Sequence, residues 1–223
     1  MLKFILFFTL FFVTILKLQS QKINVSTNGS GRGTAYGYQN KIVTVLRDGE
    51  SYTYITHLEN TNDTSAVGAR VFNVIVSEFK TSTNKLTNKV SAGYTWEPAI
   101  YCPPDFCEPH GTPNIVLDKD GFLHIVFGSH WSDVSYKKSK YSLFHSSIDF
   151  NVPEEIIPKL KSNKDKWTYP IIKLDDEGSV HVAGSLDSDS DGNLTNKARE
   201  VAYVIKKKNS NWRYELKLGM MLR

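Results

Sequence analysis

Two stretches of this chain can be laid over one another without a gap. Residues 113–128, PNIVLDKDGFLHIVFG, align with residues 170–185, PIIKLDDEGSVHVAGS, and every matched position lies 57 residues from its partner. Pro113/Pro170, Asp118/Asp175, Gly121/Gly178 and His124/His181 are the identities that anchor the match. A repeat constrains a fold more than local propensity does, because one supersecondary unit must recur and stack on its own copy. In each copy an Asp-rich segment ending in glycine reverses the chain, the glycine accepting a positive φ, so each reads as a β-hairpin. A weaker third copy is IVTVLRDGESYTYIT, Ile42 to Thr56, with Asp48-Gly49 at its turn.

The remaining sequence has the same texture. Short runs rich in Val, Ile, Tyr, Phe and Thr (KIVTVL, SYTYITHL, RVFNVIVSEF, YSLFHSS, EVAYVIKK, WRYELKL) alternate with Asn, Asp, Gly and Ser clusters. No segment keeps a helical period over the ~11–18 residues that would define a helix. Each hairpin continues into about two further strands, and four strands per repeat is the pattern of propeller blades. The expected fold is therefore all-β, a β-propeller of four-stranded antiparallel sheets, with blades at roughly 36–93, 94–150 and 165–220. Three blades do not close a ring that needs ~4–8. The propeller is thus expected to be incomplete, as a piece of a longer protein or as a chain that assembles with its own copies. The ending KLGMMLR, directly after a strand, favours the first.

Residues 1–20 read as a signal peptide. Lys3 gives a positive start, Phe4 to Leu16 is uncharged, and Ser20 follows as a small residue. The apolar run is too short for ~30 Å of hydrocarbon, which takes ~20 residues. No later segment is long enough either, so the mature chain, residues 21–223, is expected to be secreted or periplasmic with no membrane span. Export turns Cys102 and Cys107, in YCPPDFCEPH, toward a disulfide loop; a zinc site with His110 is the alternative, lacking an evident fourth ligand. Sequons stand at Asn24, Asn28, Asn62 and Asn193. The formal net charge of +4 includes Lys3 and Lys17. Lysine clusters at Lys137, Lys138 and Lys140, at Lys159 to Lys166, and at Lys206 to Lys208 suit solvated loops or an acidic polymer. Nucleic acid is not an expected partner, since no recognition motif is present.

The stretch HGTPNIVLDKDGFLHIVFGSHW followed by YKKSKYS resembles the BNR-repeat propeller family that includes ulvan lyases and related polysaccharide lyases. The likeness runs from about Tyr94 to Tyr203. It implies a seven-bladed propeller, of which this chain would hold less than half, and β-elimination at a uronic acid in an acidic polysaccharide. That reaction needs the C5 carboxylate held, the C5 proton removed and the departing O4 protonated. The resemblance makes His110 and His130 the paired active-site histidines. It places Tyr169, in WTYP, as the catalytic tyrosine, with Trp167 able to stack on a sugar. Antiparallel hairpin strands put the outer ends of 113 and 128 on one rim, which permits His110 and His130 to share a cleft. The family's arginine at the end of the returning strand in the next blade has no match here, where Ser185 stands; Lys137 or Lys138 is the candidate substitute.

His124 and His181 recur at one place in two blades, which points to packing. DSDSDGN offers Asp187, Asp189 and Asp191 at calcium-loop spacing, but Ala198 stands where a bidentate glutamate belongs. The stretch reads as a solvated acidic loop, with a structural calcium site as the alternative, and no catalytic cofactor is required. The rival functions are a non-catalytic carbohydrate-binding propeller and an inactive remnant of a lyase.

Overall fold

The computed structural model describes residues 25–26, 29, 39–61, 69–98, 111–128, 134–150, 166–187 and 200–219. The strands are β1 Ile42–Arg47, β2 Glu50–Asn60, β3 Ala69–Lys80, β4 Lys85–Pro98, β5 Asn114–Leu117, β6 Leu123–Gly128, β7 Val134–Lys138, β8 Lys166–Leu174, β9 Val180–Asp187, β10 Glu200–Lys206 and β11 Trp212–Gly219. They form three sheets in chain order: β1-β2-β3-β4, β5-β6-β7 and β8-β9-β10-β11. Every neighbouring pair is antiparallel. The chain is thus all-β and built of blade-like meanders, as its repeat implies, with three strands in the middle sheet among the described residues.

The repeated turns are built alike. Asp118 N–H bonds Phe122 O at 2.9 Å and Gly121 N–H bonds Asp118 O at 3.0 Å; Asp175 with Ser179 and Gly178 repeats the pattern at 3.2 and 3.0 Å. Gly121 and Gly178 have φ of 84° and 81°, the left-handed region that a Cβ penalises. The carboxylate finishes each turn: Asp118 Oδ1 accepts from the amides of Asp120 and Phe122, and Asp175 Oδ1 from that of Ser179. Asp and Gly recur in the sequence because each does one of these two jobs.

The run YSLFHSS is not a strand. The amides of His145 and Ser146 both donate to Ser142 O, and Leu143 N–H reaches back to Gly121 O at 2.7 Å. Leu143 is fully buried and Phe144 packs partly beside it. The apolar content that suggested a strand instead anchors a turn against the first repeated hairpin.

The middle sheet lies between the other two. All six residues of β6 are buried, so both faces of that strand carry core. Leu123, Ile125 and Phe127 pack with Tyr54, Leu58, Phe72 and Val74 of the first sheet. Val126, with Val134 and Tyr136, packs against Ile172, Val182, Ala202 and Val204 of the third. Each such side chain contributes about 1.5–3 kcal/mol on burial, and the alternation of faces along β6 ties all three sheets into one stack. Glu78, 1% exposed, is the charged exception. Arg47 binds it at 3.0 Å, Tyr54 Oη at 2.8 Å, and Thr87 and Ser147 hydroxyls at 2.8 and 2.9 Å. Burial works against ionisation of Glu78, yet these donors together hold its carboxyl below the usual range.

Candidate active site

The two ends of the stack differ in chemistry. At the end away from the repeated turns, the middle hairpin is closed by Gly128 N–H donating to Gly111 O at 3.2 Å. A Cβ on Gly111 would lie 2.6 Å from Thr95 Oγ1 and 2.9 Å from Gly128 O, so the two chains approach as closely as backbone permits. His110 and His130 themselves lie outside the described residues. The chain segments that lead to them leave from this bonded glycine pair, which fixes both departures at one end of one hairpin.

Tyr169 lies at the same end of the third sheet. It sits in β8 with φ of 54°, in a left-handed conformation that is a strained outlier for a bulky residue. The other described non-glycine residues with positive φ are Asp48, Asn84 and Asn209, short polar side chains that tolerate it. The register shifts between Thr168 and Ile171, so Tyr169 and Pro170 form a bulge, a feature that re-aims side chains. Proline has no N–H to lose there. Tyr169 is partly buried and engaged with neighbours.

A buried amide joins these two places. Gln39, 9% exposed, accepts from Thr112 Oγ1 at 2.6 Å and donates from Nε2 to Pro170 O at 3.3 Å. Thr112 is fully buried and stands two residues after His110; Pro170 follows Tyr169. The preceding segment is stitched to β5 as well, Asn40 bonding Asn114 Oδ1 and Ile115 O at 3.1 and 3.0 Å. Lys41 Nζ donates to Pro113 O, and burial of its ammonium lowers its pKa to about 7. Sequence reasoning missed Gln39, Thr112 and Lys41. Nothing local marks them, since their partners are 72 to 131 residues away.

The other candidate residues are placed as follows. Trp167 pairs with Leu186 in the β8–β9 ladder, and Ser185 pairs with Thr168 and Val201. The position where the resemblance expects an arginine is therefore at the Tyr169 end of the adjoining strand. Lys137 pairs with Ile125, three positions along β7 from the Val134 end, and burial lowers its pKa. Lys138 turns to the opposite end, 3.3 Å from Asp118 Oδ2 and over the Phe122 ring. Asp187 ends β9, while Cys102, Cys107, Asp189 and Asp191 lie outside the described residues. Among the described residues no cluster of three His, Cys, Asp or Glu could hold a metal, and no helix is long and apolar enough to cross a membrane.

At the turn end, His124 and His181 do the packing work their repetition suggests. His124 Nε2 bonds Asp118 Oδ2 at 3.0 Å and Nδ1 bonds Tyr136 Oη at 2.7 Å. His181 bonds Asp175 and Tyr203 at 2.9 and 2.5 Å. One tautomer satisfies both, with Nε2–H donating to the carboxylate and Nδ1 accepting from the phenol.

Stacked antiparallel meanders tied by repeated Asp-Gly hairpins define a propeller-type repeat protein. The sequence pattern described as "BNR repeat-containing family member" matches residues 52–183, which reach from the first sheet into the third. The chain belongs to that family. Among solved structures it is similar to polysaccharide lyase Uly1, at 13% identity and a TM-score of 0.45, covering 88% of this chain and 45% of that one. It is also similar to a glycoside hydrolase family 43 arabinoxylan arabinofuranohydrolase from Bacillus subtilis in complex with cellotetraose, at 11% identity and a TM-score of 0.33, covering 85% and 46%. The chain spans less than half the length of either. No curated protein sequence matches it.

Proposed function

We propose that this chain is an exported polysaccharide lyase-type propeller that cleaves an acidic, uronate-containing polysaccharide by β-elimination. In that reaction the C5–H bond breaks, its electron pair forms the C4–C5 double bond, and the C4–O4 bond breaks. A base takes the C5 proton and an acid protonates the departing oxygen. His110 and His130 hold the carboxylate and move protons; Tyr169 serves as acid or base, with Trp167 as a sugar platform and Lys137 as a substrate-binding cation. The observation that carries this reading is the Gln39 bridge, which couples Thr112 of the histidine hairpin to the strained Tyr169–Pro170 bulge. Strain held by a buried hydrogen bond is characteristic of functional positions. Lys41, with a pKa of about 7 at the same end, adds a group able to gain or lose charge near neutrality.

The test is direct. The mature chain is incubated with ulvan and other uronate polymers while ultraviolet absorbance of the unsaturated product is followed. A folded sample giving no absorbance with any of them overturns the reading. Ser185, at the Tyr169 end of β9, favours a second reading in which the chain binds the polymer without cleaving it. Affinity without product, undiminished by His110→Ala, would establish that alternative. Calcium at Asp187, Asp189 and Asp191 and a Cys102–Cys107 disulfide remain part of the proposal, tested by chelator and reductant effects on melting.

A further inference from the structure

The turn end of the stack carries a cleft that this chemistry does not use. Its volume is about 330 Å³, and it lies where the β5–β6 turn of the middle sheet meets the β8–β9 and β10–β11 turns of the third. From Gly111 to Asp118 the chain runs about 20 Å along the strand direction at ~3.3 Å per residue, so the cleft is remote from the Tyr169 end.

Its walls are cationic. Lys119, Lys138, Lys206, Lys207 and Lys208 all line it, against Asp118 and Asp120. Both carboxylates are already engaged: Asp118 receives His124 at 3.0 Å and Lys138 at 3.3 Å, and Asp120 receives Lys208 at 3.2 Å. His124 adds no positive charge at neutral pH, because burial lowers its pKa. Lys206 sits over the Tyr136 and Trp212 rings, 5.8 and 5.9 Å from their centroids. Among the described residues Lys119 and Lys207 have no carboxylate partner. A concave wall bearing more ammonium groups than carboxylates concentrates anions.

We infer that this cleft is a second, non-catalytic binding site for an anionic oxygen group, a carboxylate or sulfate ester, carried on a polysaccharide chain. It lies on the opposite end of the blades from the proposed elimination site. The choice of polymer rests on the proposed function; the choice of an oxyanion rests on the lysines alone. A lysine is a compact point charge that takes an oxyanion without fixed geometry, which suits repeating groups along a flexible chain. The site would hold a long substrate on the protein between cleavage events.

The experiment follows backbone amide shifts of Lys207, Asn209 and Ser210 in the mature chain. It is titrated with a sulfated uronate polysaccharide, its desulfated form, and inorganic sulfate. Shifts with either polymer at concentrations where inorganic sulfate gives none support the site, and the two polymers separate sulfate ester from carboxylate. Shifts with inorganic sulfate alone, or with nothing, overturn it. The variant Lys119→Ala/Lys207→Ala should bind the polymer roughly tenfold more weakly at low salt, with the difference shrinking as salt screens it. Its melting temperature should match the parent's, since neither side chain has a charged partner among the described residues. His110→Ala should leave these shifts intact. Cleft binding therefore stands or falls independently of polymer cleavage.

Discussion

His124 and Tyr136 are joined by a 2.7 Å hydrogen bond inside the packed face between the middle and third sheets. His181 and Tyr203 repeat that bond one sheet on, on a face where the histidine is 25% exposed. The same chemistry at two depths gives an internal comparison. Removing His124 leaves the buried Tyr136 hydroxyl without its 2.7 Å partner and opens space in the core, while Asp118 keeps Lys138 and the Asp120 and Phe122 amides. A buried polar group left unpaired, with the packing lost beside it, costs about 2–4 kcal/mol. His124→Ala should lower the unfolding free energy by that amount in urea titrations, and His181→Ala by about 1 kcal/mol or less. Equal effects would show that burial does not set the value of the network.

The same groups contribute to the acid limb of stability, beside His57, Glu59 and Glu78, whose pKa values are lowered as well. Burial keeps His124 neutral by lowering its pKa below the ordinary 6.5, so the unfolded chain binds the proton first. Stability therefore falls as pH drops through about 6.5. Asp118 acts at lower pH. Burial alone would raise its pKa, but the His124 bond, the Phe122 amide and nearby positive charge hold it at about 2. Asp175 is held at about 2 by His181 and the Ser179 amide. A carboxylate with a depressed pKa stabilises above its unfolded value near 4 and loses that contribution as pH falls toward 2. Urea midpoints measured from pH 8 to 2 should thus decline in two stages, and His124→Gln should shrink the upper one, leaving the part due to His57, whose pKa burial also lowers.

How far the sequence anticipated this is uneven, and the reasons are physical. The 57-residue repeat exposed the hairpins because Asp118 and Asp175 must cap their turns and Gly121 and Gly178 must take positive φ. The tyrosine partners were not legible. Tyr136 follows its histidine by 12 residues and Tyr203 by 22, because the chain between the paired strands differs in length and breaks the period. Leu143 and Phe144 made a turn resemble a strand, since local pattern records burial and not hydrogen bonding. Gln39 was invisible, as a lone amide whose partners come from the second and third sheets. The strain at Tyr169 is likewise a property of the bulge and not of WTYP as a string.

That strain separates function from folding. Tyr169→Gly removes a left-handed conformation costing about 1–2 kcal/mol for a side chain with a Cβ, which offsets part of the packing lost with the ring. Its urea midpoint should fall less than that of Tyr169→Ala, which loses the ring and keeps the strain, while product formation from uronate polymer falls in both by ~100-fold or more, the usual scale for a lost proton-transfer group. Tyr169→Phe should show the same loss with the ring retained. Full activity in the phenylalanine variant would remove Tyr169 from the chemistry.

Gln39→Ala tests the bridge from the other side. It leaves Thr112 Oγ1 and Pro170 O without the partners they have at 2.6 and 3.3 Å, and buried polar groups left unpaired cost about 1–3 kcal/mol. The unfolding free energy should drop by that amount. If the amide also sets the distance between the histidine hairpin and Tyr169, kcat should fall at temperatures where the variant is still fully folded, with the KM for polymer little changed. Gln39→Glu, which keeps an acceptor for Thr112 but puts an acceptor against Pro170 O, should resemble alanine in kcat.

Gly111→Ala asks whether the closed hairpin end is needed. Its Cβ would sit 2.6 Å from Thr95 Oγ1 and 2.9 Å from Gly128 O, distances no relaxed structure keeps. The threonine hydroxyl can rotate away; the Gly128 carbonyl belongs to the opposing backbone and cannot, so the 3.2 Å bond from Gly128 N–H to Gly111 O must open. Overpacking of this kind costs about 1–3 kcal/mol. The consequence reaches further than stability, because the segments bearing His110 and His130 depart from this pair. Proton exchange at the Gly128 amide should accelerate, and polymer cleavage should fall more than it does in Thr95→Ala, which frees space without parting the strands. Cleavage unchanged in Gly111→Ala, with the Gly128 amide exposed, would show that the two histidines do not depend on this closure.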